Sequence, residues 1–274
     1  MLNKSYLIAL DLDGTLLNDQ KKISFLTRRY LRSLVKKGHK VIIASGRAPR
    51  SINKFVKYIG LKDLSVGYNG GIIFEYLNDK CVGDCVTLSQ EALKNIYAKH
   101  INKELTNVFC ENIKSVWIDK EDDLLFCFYQ TEDLKINRGP IDKILDEDPA
   151  VFVAHTIELS EKEKSKLKKD IEETHKDIKV RFFTDAPYLE LYKENISKAS
   201  AIKVLAKKYG IPEDHIIVFG DSYNDIEMLE AFKHSFLMVN NAHKFRKHAS
   251  YVTIKDNNHS GVKHSLKQFF KNNK

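Results

Sequence analysis

Two aspartates two residues apart, Asp11 and Asp13, follow an apolar run at 6–10 and lead into Gly14-Thr15-Leu16. A short apolar run ended by a turn reads as a buried strand, and alternate residues of an extended chain share a side. Both carboxylates can therefore face one pocket, one as nucleophile and the other as proton donor, which is equipment for phosphoryl transfer. The same residues also fit a simple turn or the start of a calcium loop. A calcium loop needs a closing Glu at its twelfth position. Counted from Asp11, that place holds Lys22, so the calcium loop fails while the simple turn stays open.

Further chemistry-bearing residues recur where apolar runs end. Ser45-Gly46-Arg47 follows the run at 41–44 and offers a hydroxyl and backbone amides to an anion, although an ordinary strand-to-helix turn would have the same composition. Asn69-Gly70-Gly71 follows the run at 64–68 and suits a hairpin turn, or a place beside a pocket. Lys198 opens a helical segment, where an amine could meet a phosphate or simply face solvent. Gly220-Asp221-Ser222-Tyr223-Asn224-Asp225 follows the run at 216–219 with two more carboxylates. Asp225 alone could be a helix cap, but capping leaves Asp221 unexplained. Together the four aspartates supply the hard oxygen ligands that Mg²⁺ prefers.

The elements that must position these residues alternate. Buried strands are predicted at 6–10, 41–44, 64–68, 216–219 and 236–239, with amphipathic helices at 24–37, 50–59, 198–209, 225–232 and 262–270. Such alternation implies crossovers and a mostly parallel, doubly wound α/β core, in which ligands bind beyond the carboxyl ends of the strands. Between about residues 85 and 192 the texture changes. Strand-like stretches at 116–119, 124–130, 151–157, 180–183 and 189–192 surround a charged helix at 160–175, and the turns at 120–123 and 184–187 suit antiparallel hairpins. The reading is a discontinuous core, 1–84 with 193–274, interrupted by an inserted α+β unit at 85–192.

A 274-residue chain that is 43% hydrophobic can bury a sizeable core. No apolar stretch approaches the roughly 20 residues of a membrane span, and residues 1–4 lack a secretory leader. The expectation is a cytoplasmic protein with no membrane partner. Cys81, Cys85, Cys110 and Cys127 form no Cys-x-x-Cys pair and read as reduced thiols. The net charge of +8 comes from lysines scattered along helices, which argues against a specific nucleic-acid partner while favouring anionic substrates.

Asp-Leu-Asp-Gly-Thr-Leu at 11–16, Ser-Gly-Arg at 45–47, Lys198 and Gly-Asp-Ser-Tyr-Asn-Asp at 220–225 resemble, in this order, the four motifs of the haloacid dehalogenase superfamily. The layout resembles its Cof-type branch of sugar phosphatases with a class IIB cap, as do Asn69-Gly70, Val239-Asn240-Asn241-Ala242 and Gly261-Val262. Ala199 stands where the family commonly has glycine. The resemblance implies a Rossmann-like core with an inserted cap that reads the substrate. It implies Mg²⁺-dependent hydrolysis of a small phosphorylated metabolite, a sugar phosphate, through an aspartyl-phosphate on Asp11 with Asp13 as acid and base. The implied metal residues are Asp11, Asp13 through its carbonyl, and Asp221, with Ser222 or Asp225 nearby. The implied phosphate or substrate residues are Leu12, Ser45, Gly46, Arg47, Asn69, Lys198 and Asn224. A phosphomutase or phosphotransferase on the same scaffold is the alternative, and a non-catalytic basic regulatory protein is a third reading. The expected state is a monomer or weak homo-oligomer.

Overall fold

A computed structural model describes residues 5–78, 80–121, 134–183 and 186–273. The first strand, β1 (Leu7–Leu10), ends at Asp11, and α1 (Phe25–Lys36) begins where the Ser24 hydroxyl accepts a hydrogen bond from the Thr27 N–H. β2 (Lys40–Ile43) precedes α2 (Pro49–Ile59), which has proline in its first turn and Gly60 as a left-handed cap. β3 (Ser65–Gly67), β4 (Ile72–Leu77) and β5 (Lys80–Cys85) make a separate three-stranded sheet.

The inserted segment carries α3 (Gln90–His100), β6 (Leu105–Glu111), β7 (Ser115–Ile118), β8 (Lys135–Arg138), α4 (Ile141–Ile144), β9 (Val151–Thr156), α5 (Glu161–Thr174), β10 (Ile178–Phe182) and β11 (Tyr188–Lys193). The chain then forms α6 (Lys198–Tyr209), β12 (Ile216–Gly220), α7 (Ile226–Ala231), β13 (His234–Leu237), α8 (Ala242–Phe245), β14 (Tyr251–Val252) and α9 (Gly261–Asn272).

Contacts divide the chain into two compact units, 1–84 with 197–274 and 85–196. In the first, the sheet order is β14-β13-β12-β1-β2, and every neighbouring pair is parallel. Leu7, Ile8, Ala9 and Leu10 are all fully buried. Continuous burial is what a parallel strand covered on both faces requires, and it explains the unbroken apolar runs in the sequence. The chain has the α/β architecture expected of it. β3 has two relations: it pairs antiparallel with β4, and it meets the chain after β2 through the parallel Ala44–Val66 bridge and the bond from the Ser45 N–H to the Val66 carbonyl at 3.0 Å. Tyr68, Asn69 and Gly70 have φ of 50°, 54° and 108°. These left-handed residues fold the chain back as a hairpin, so Asn69-Gly70-Gly71 is a turn.

In the second unit the order is β10-β11-β9-β6-β7-β8, antiparallel except for β7 with β8. Leu93, Ile96, Leu167 and Ile171, from α3 and α5, pack with Trp117, Val108 and Phe152 from the strands. The β10–β11 pair is antiparallel as expected. The stretch predicted at 124–130 lies outside the described residues. Cys81 and Cys110 are free thiols.

Candidate active site

Parallel strands that end together gather the acidic residues. Leu10 and Phe219 are register partners, and the Asp11 N–H donates to the Phe219 carbonyl at 3.1 Å. Asp11 and Asp221 thus leave the sheet on neighbouring strands. Asp225 follows a short turn: its Oδ2 accepts the N–H groups of Asp221 (2.9 Å) and Ser222 (3.1 Å). Asp11, Asp221 and Asp225 each present a carboxylate oxygen within 4.8 Å of the others, and all three residues are buried.

Lys198 enters this cluster from the first position of α6, which Ser197 and Ser200 cap reciprocally. Its Nζ donates to Asp11 Oδ1 at 2.6 Å and to Asp225 Oδ1 at 2.7 Å, and its side chain is fully buried. Gly70 lets the 68–71 turn close on the start of that helix. At its φ of 108° a Cβ would lie 2.2 Å from the Ser197 carbonyl oxygen, so no larger residue fits. Asn69 Oδ1 in turn accepts a hydrogen bond from Asn224 Nδ2 at 2.9 Å. Ser45 is buried; its carbonyl accepts the Asn69 N–H (3.1 Å) and its Oγ accepts the Arg47 N–H (3.3 Å). The Leu12 side chain is fully buried, leaving only its main chain for a ligand.

Asp13 faces different partners. Arg47 donates to it through Nε (2.6 Å to Oδ2) and Nη2 (2.7 Å to Oδ1), and Lys21 Nζ adds a third bond at 2.7 Å to Oδ1. Arg47 is thus a bidentate partner of Asp13. Ser222 donates its N–H to Asp225 Oδ2 at 3.1 Å.

These surroundings give the carboxyls different acidities. Burial works against ionisation of Asp13, but the hydrogen bonds and charge of Arg47, then of Lys21, hold it down at about 2. Burial dominates at Asp11 and raises it well above the ordinary value despite Lys198. Burial and then the charge of Asp225 raise Asp221 to about 7, against the hydrogen bond from Asn241. Lys198 is destabilised by burial, yet Asp11 and Asp225 more than offset this and keep it an ammonium.

Clustered carboxylates with one buried ammonium among them hold an excess of negative charge. That excess, the hard-oxygen donor set and a buried Asn240 Oδ1 with no hydrogen-bond partner all fit a small divalent cation. Both oxygens of Asp225 are already engaged, one by Lys198 and the other by the two amides. Thr15, Lys21, Asn240 and Asn241 also bond to this constellation and were not singled out from sequence as site residues. Asn240-Asn241 had a signal, since the pair directly follows an apolar strand. In the 85–196 unit, Glu111, Trp117 and Tyr188 are all buried, and Trp117 is a core residue whose Nε1 donates to Asp146 at 2.8 Å.

The chain is similar to known proteins along nearly its whole length. The family model of the haloacid dehalogenase-like hydrolases matches residues 8–266. The 5-amino-6-(5-phospho-D-ribitylamino)uracil phosphatase YitU of Bacillus subtilis is 29% identical over 272 residues, spanning 98% of this chain and 99% of its own. The structure of SMU.1108c from Streptococcus mutans superposes with a TM-score of 0.80 at 21% identity, covering 98% of this chain and 100% of that one. The fold also matches the subclass IIB sugar phosphatase BT4131, with a TM-score of 0.78 at 18% identity over 97% of this chain and 99% of that one. The chain belongs to the haloacid dehalogenase-like hydrolases, a family in which its relatives are phosphatases.

Proposed function

We propose that this enzyme is a Mg²⁺-dependent phosphatase of small phosphorylated metabolites, with phosphate esters of sugars or of ribityl-type polyols as its substrates. The observation that carries the reading is the buried Lys198 held between Asp11 and Asp225, with Asp221 completing the acidic cluster. The name of the Bacillus relative supports a phosphorylated ribityl group, and that of BT4131 a sugar phosphate.

In this reading Asp11 attacks the phosphorus in line and carries the phosphoryl group as an aspartyl-phosphate. Lys198 neutralises the oxygens around it, and Ser45, the Gly46 amide, Asn69 and Asn224 orient the phosphoryl group. Asp11, the Asp13 carbonyl and Asp221 hold Mg²⁺, with Asp225 fixing the Asp221 turn. Bound Mg²⁺ supplies a charge that screens the nucleophile from the phosphate. Asp13 gives a proton to the leaving alcohol and then takes one from water. Because Arg47 and Lys21 hold Asp13 ionised, substrate must loosen these bonds before Asp13 can carry a proton. The 85–196 unit is assigned the selection of the leaving alcohol.

The test is inorganic phosphate release from sugar phosphates, a ribityl phosphate and an aryl phosphate, in Mg²⁺ or EDTA, with Asp11→Asn alongside. Release that needs Mg²⁺ and Asp11 is the expected result. An isomeric phosphate without net release would replace the reading with a mutase, and no reaction by folded protein would refute it.

A further inference from the structure

Two consecutive asparagines tie together the loops that present the acidic cluster. A short turn, Val239–Asn241, follows β13. The Met238 N–H donates to the Gly220 carbonyl at 2.9 Å, and the Val239 N–H to Thr253 Oγ1 at 3.1 Å. The turn is thereby fixed to the residue preceding Asp221. From it, Asn241 Nδ2 donates to Asp221 Oδ2 at 2.8 Å, while Asn240 Nδ2 donates to the Gly14 carbonyl at 3.0 Å. Thr15 Oγ1 donates to the other Asp221 oxygen at 3.2 Å. The two loops also meet directly: a Cβ on Gly14, whose φ is 70°, would lie 2.2 Å from Asp221 Oδ2.

The chemistry of these donors distinguishes them from Lys198. An ammonium bonded to a carboxylate cancels its charge and competes with a cation. A neutral amide or hydroxyl fixes the carboxylate's orientation and leaves its charge intact, as the supporting hydrogen bonds around metal ligands do. Asn240 adds a second feature, because its Oδ1 is buried without a hydrogen-bond partner while its Nδ2 is engaged. That oxygen is an acceptor suited to a water carried by a hydrated cation.

We infer that Asn240, Asn241 and Thr15 are positioning residues that assemble the Asp11–Thr15 turn and Asp221 into one divalent-cation site. The inference rests on the Mg²⁺ reading above and adds residues that the sequence motifs did not assign to it.

Mn²⁺ binding, followed by electron paramagnetic resonance on EDTA-stripped protein without substrate, tests it. Asn241→Ala is expected to weaken Mn²⁺ about 10–100-fold, the range seen when supporting partners of metal ligands are lost. Asn240→Ala should weaken it in the same direction, and both proteins should keep the circular dichroism of the wild type. Thr15→Val probes the same carboxylate through its other oxygen and keeps the test decisive should Asn241→Ala not fold. Wild-type and Asn241→Ala or Thr15→Val proteins that bind Mn²⁺ equally would overturn the positioning role alone. Wild-type protein that binds no Mn²⁺ would overturn the cation reading as well.

Discussion

Replacing Lys198 with methionine removes the ammonium that holds Asp11 and Asp225 together while keeping an unbranched side chain of similar length. The lysine side chain and that of Asp225 are 0% exposed, and that of Asp11 is 7% exposed. Solvent therefore cannot replace the lost charge. Removing one partner of a buried pair costs about 3–5 kcal/mol, because the remaining charge stays buried. Lys198→Met should lower the unfolding free energy by that amount in EDTA, measured by urea denaturation with circular dichroism. Trp117, the only tryptophan, lies in the core of the 85–196 unit and reports on that unit through its fluorescence. Adding Asp225→Asn should recover part of the loss, since the amide keeps an acceptor for the Asp221 and Ser222 N–H groups without the charge. A loss below about 1 kcal/mol, the level of an exposed ion pair, would refute the reasoning.

Asp13→Ala should reduce turnover of an alkyl phosphate by about 10²–10⁴-fold, the usual contribution of a general acid or base. The loss on an aryl phosphate, whose leaving group needs no proton, should be much smaller; equal losses would contradict the assignment. In EDTA, the folded-state value of about 7 for Asp221 lies above its unfolded value, so its contribution to stability is complete below about pH 4 and is lost as pH rises toward 7. Urea midpoints should therefore show a greater gain from Mg²⁺ at pH 8 than at pH 5, and an identical gain would count against the buried acidic cluster. Gly70→Ala should destabilise by about 1–3 kcal/mol, because it puts a side chain into a left-handed conformation and against the Ser197 carbonyl. A melting temperature equal to that of the wild type would show that the turn does not close on α6 as described.

The parts of the site that were legible in the sequence are those at the ends of apolar strands. Asp11 and Asp221 stand beside each other because β1 and β12 are parallel neighbours, a relation that alternating strands and helices imply before any coordinates. Asp225 looked like a helix cap, and its Oδ2 does accept two amides of the turn, but its other oxygen binds Lys198. A local pattern could show the first role and not the second, which depends on a residue 27 positions away. The same limit hid Asn241, Thr15 and Lys21: each is an ordinary polar residue until the chain brings its partner near. The resemblance implied Arg47 as a phosphate or substrate residue, and no local pattern showed that its fork would meet Asp13, 34 residues earlier. The run at 64–68 reads as a buried strand because it is mostly apolar, and β3 does meet residue 44 in the parallel sense, but its antiparallel pairing with β4 was not foreseen. The left-handed Tyr68 and Asn69, which turn it into a hairpin, carry no signal as strong as the two glycines that follow. β14 has only two residues, too few for any period to register.

The central claim is that Asp11 forms a covalent bond to the transferred phosphoryl group. Acid quenching of the enzyme during turnover of an aryl phosphate in Mg²⁺, followed by borohydride reduction and peptide mass spectrometry, tests it directly. Homoserine in place of Asp11, formed only when substrate and Mg²⁺ are both present, is the predicted result. An unmodified Asp11 in actively turning-over enzyme under conditions that trap an acyl phosphate, or reduction at another carboxylate, would contradict the account.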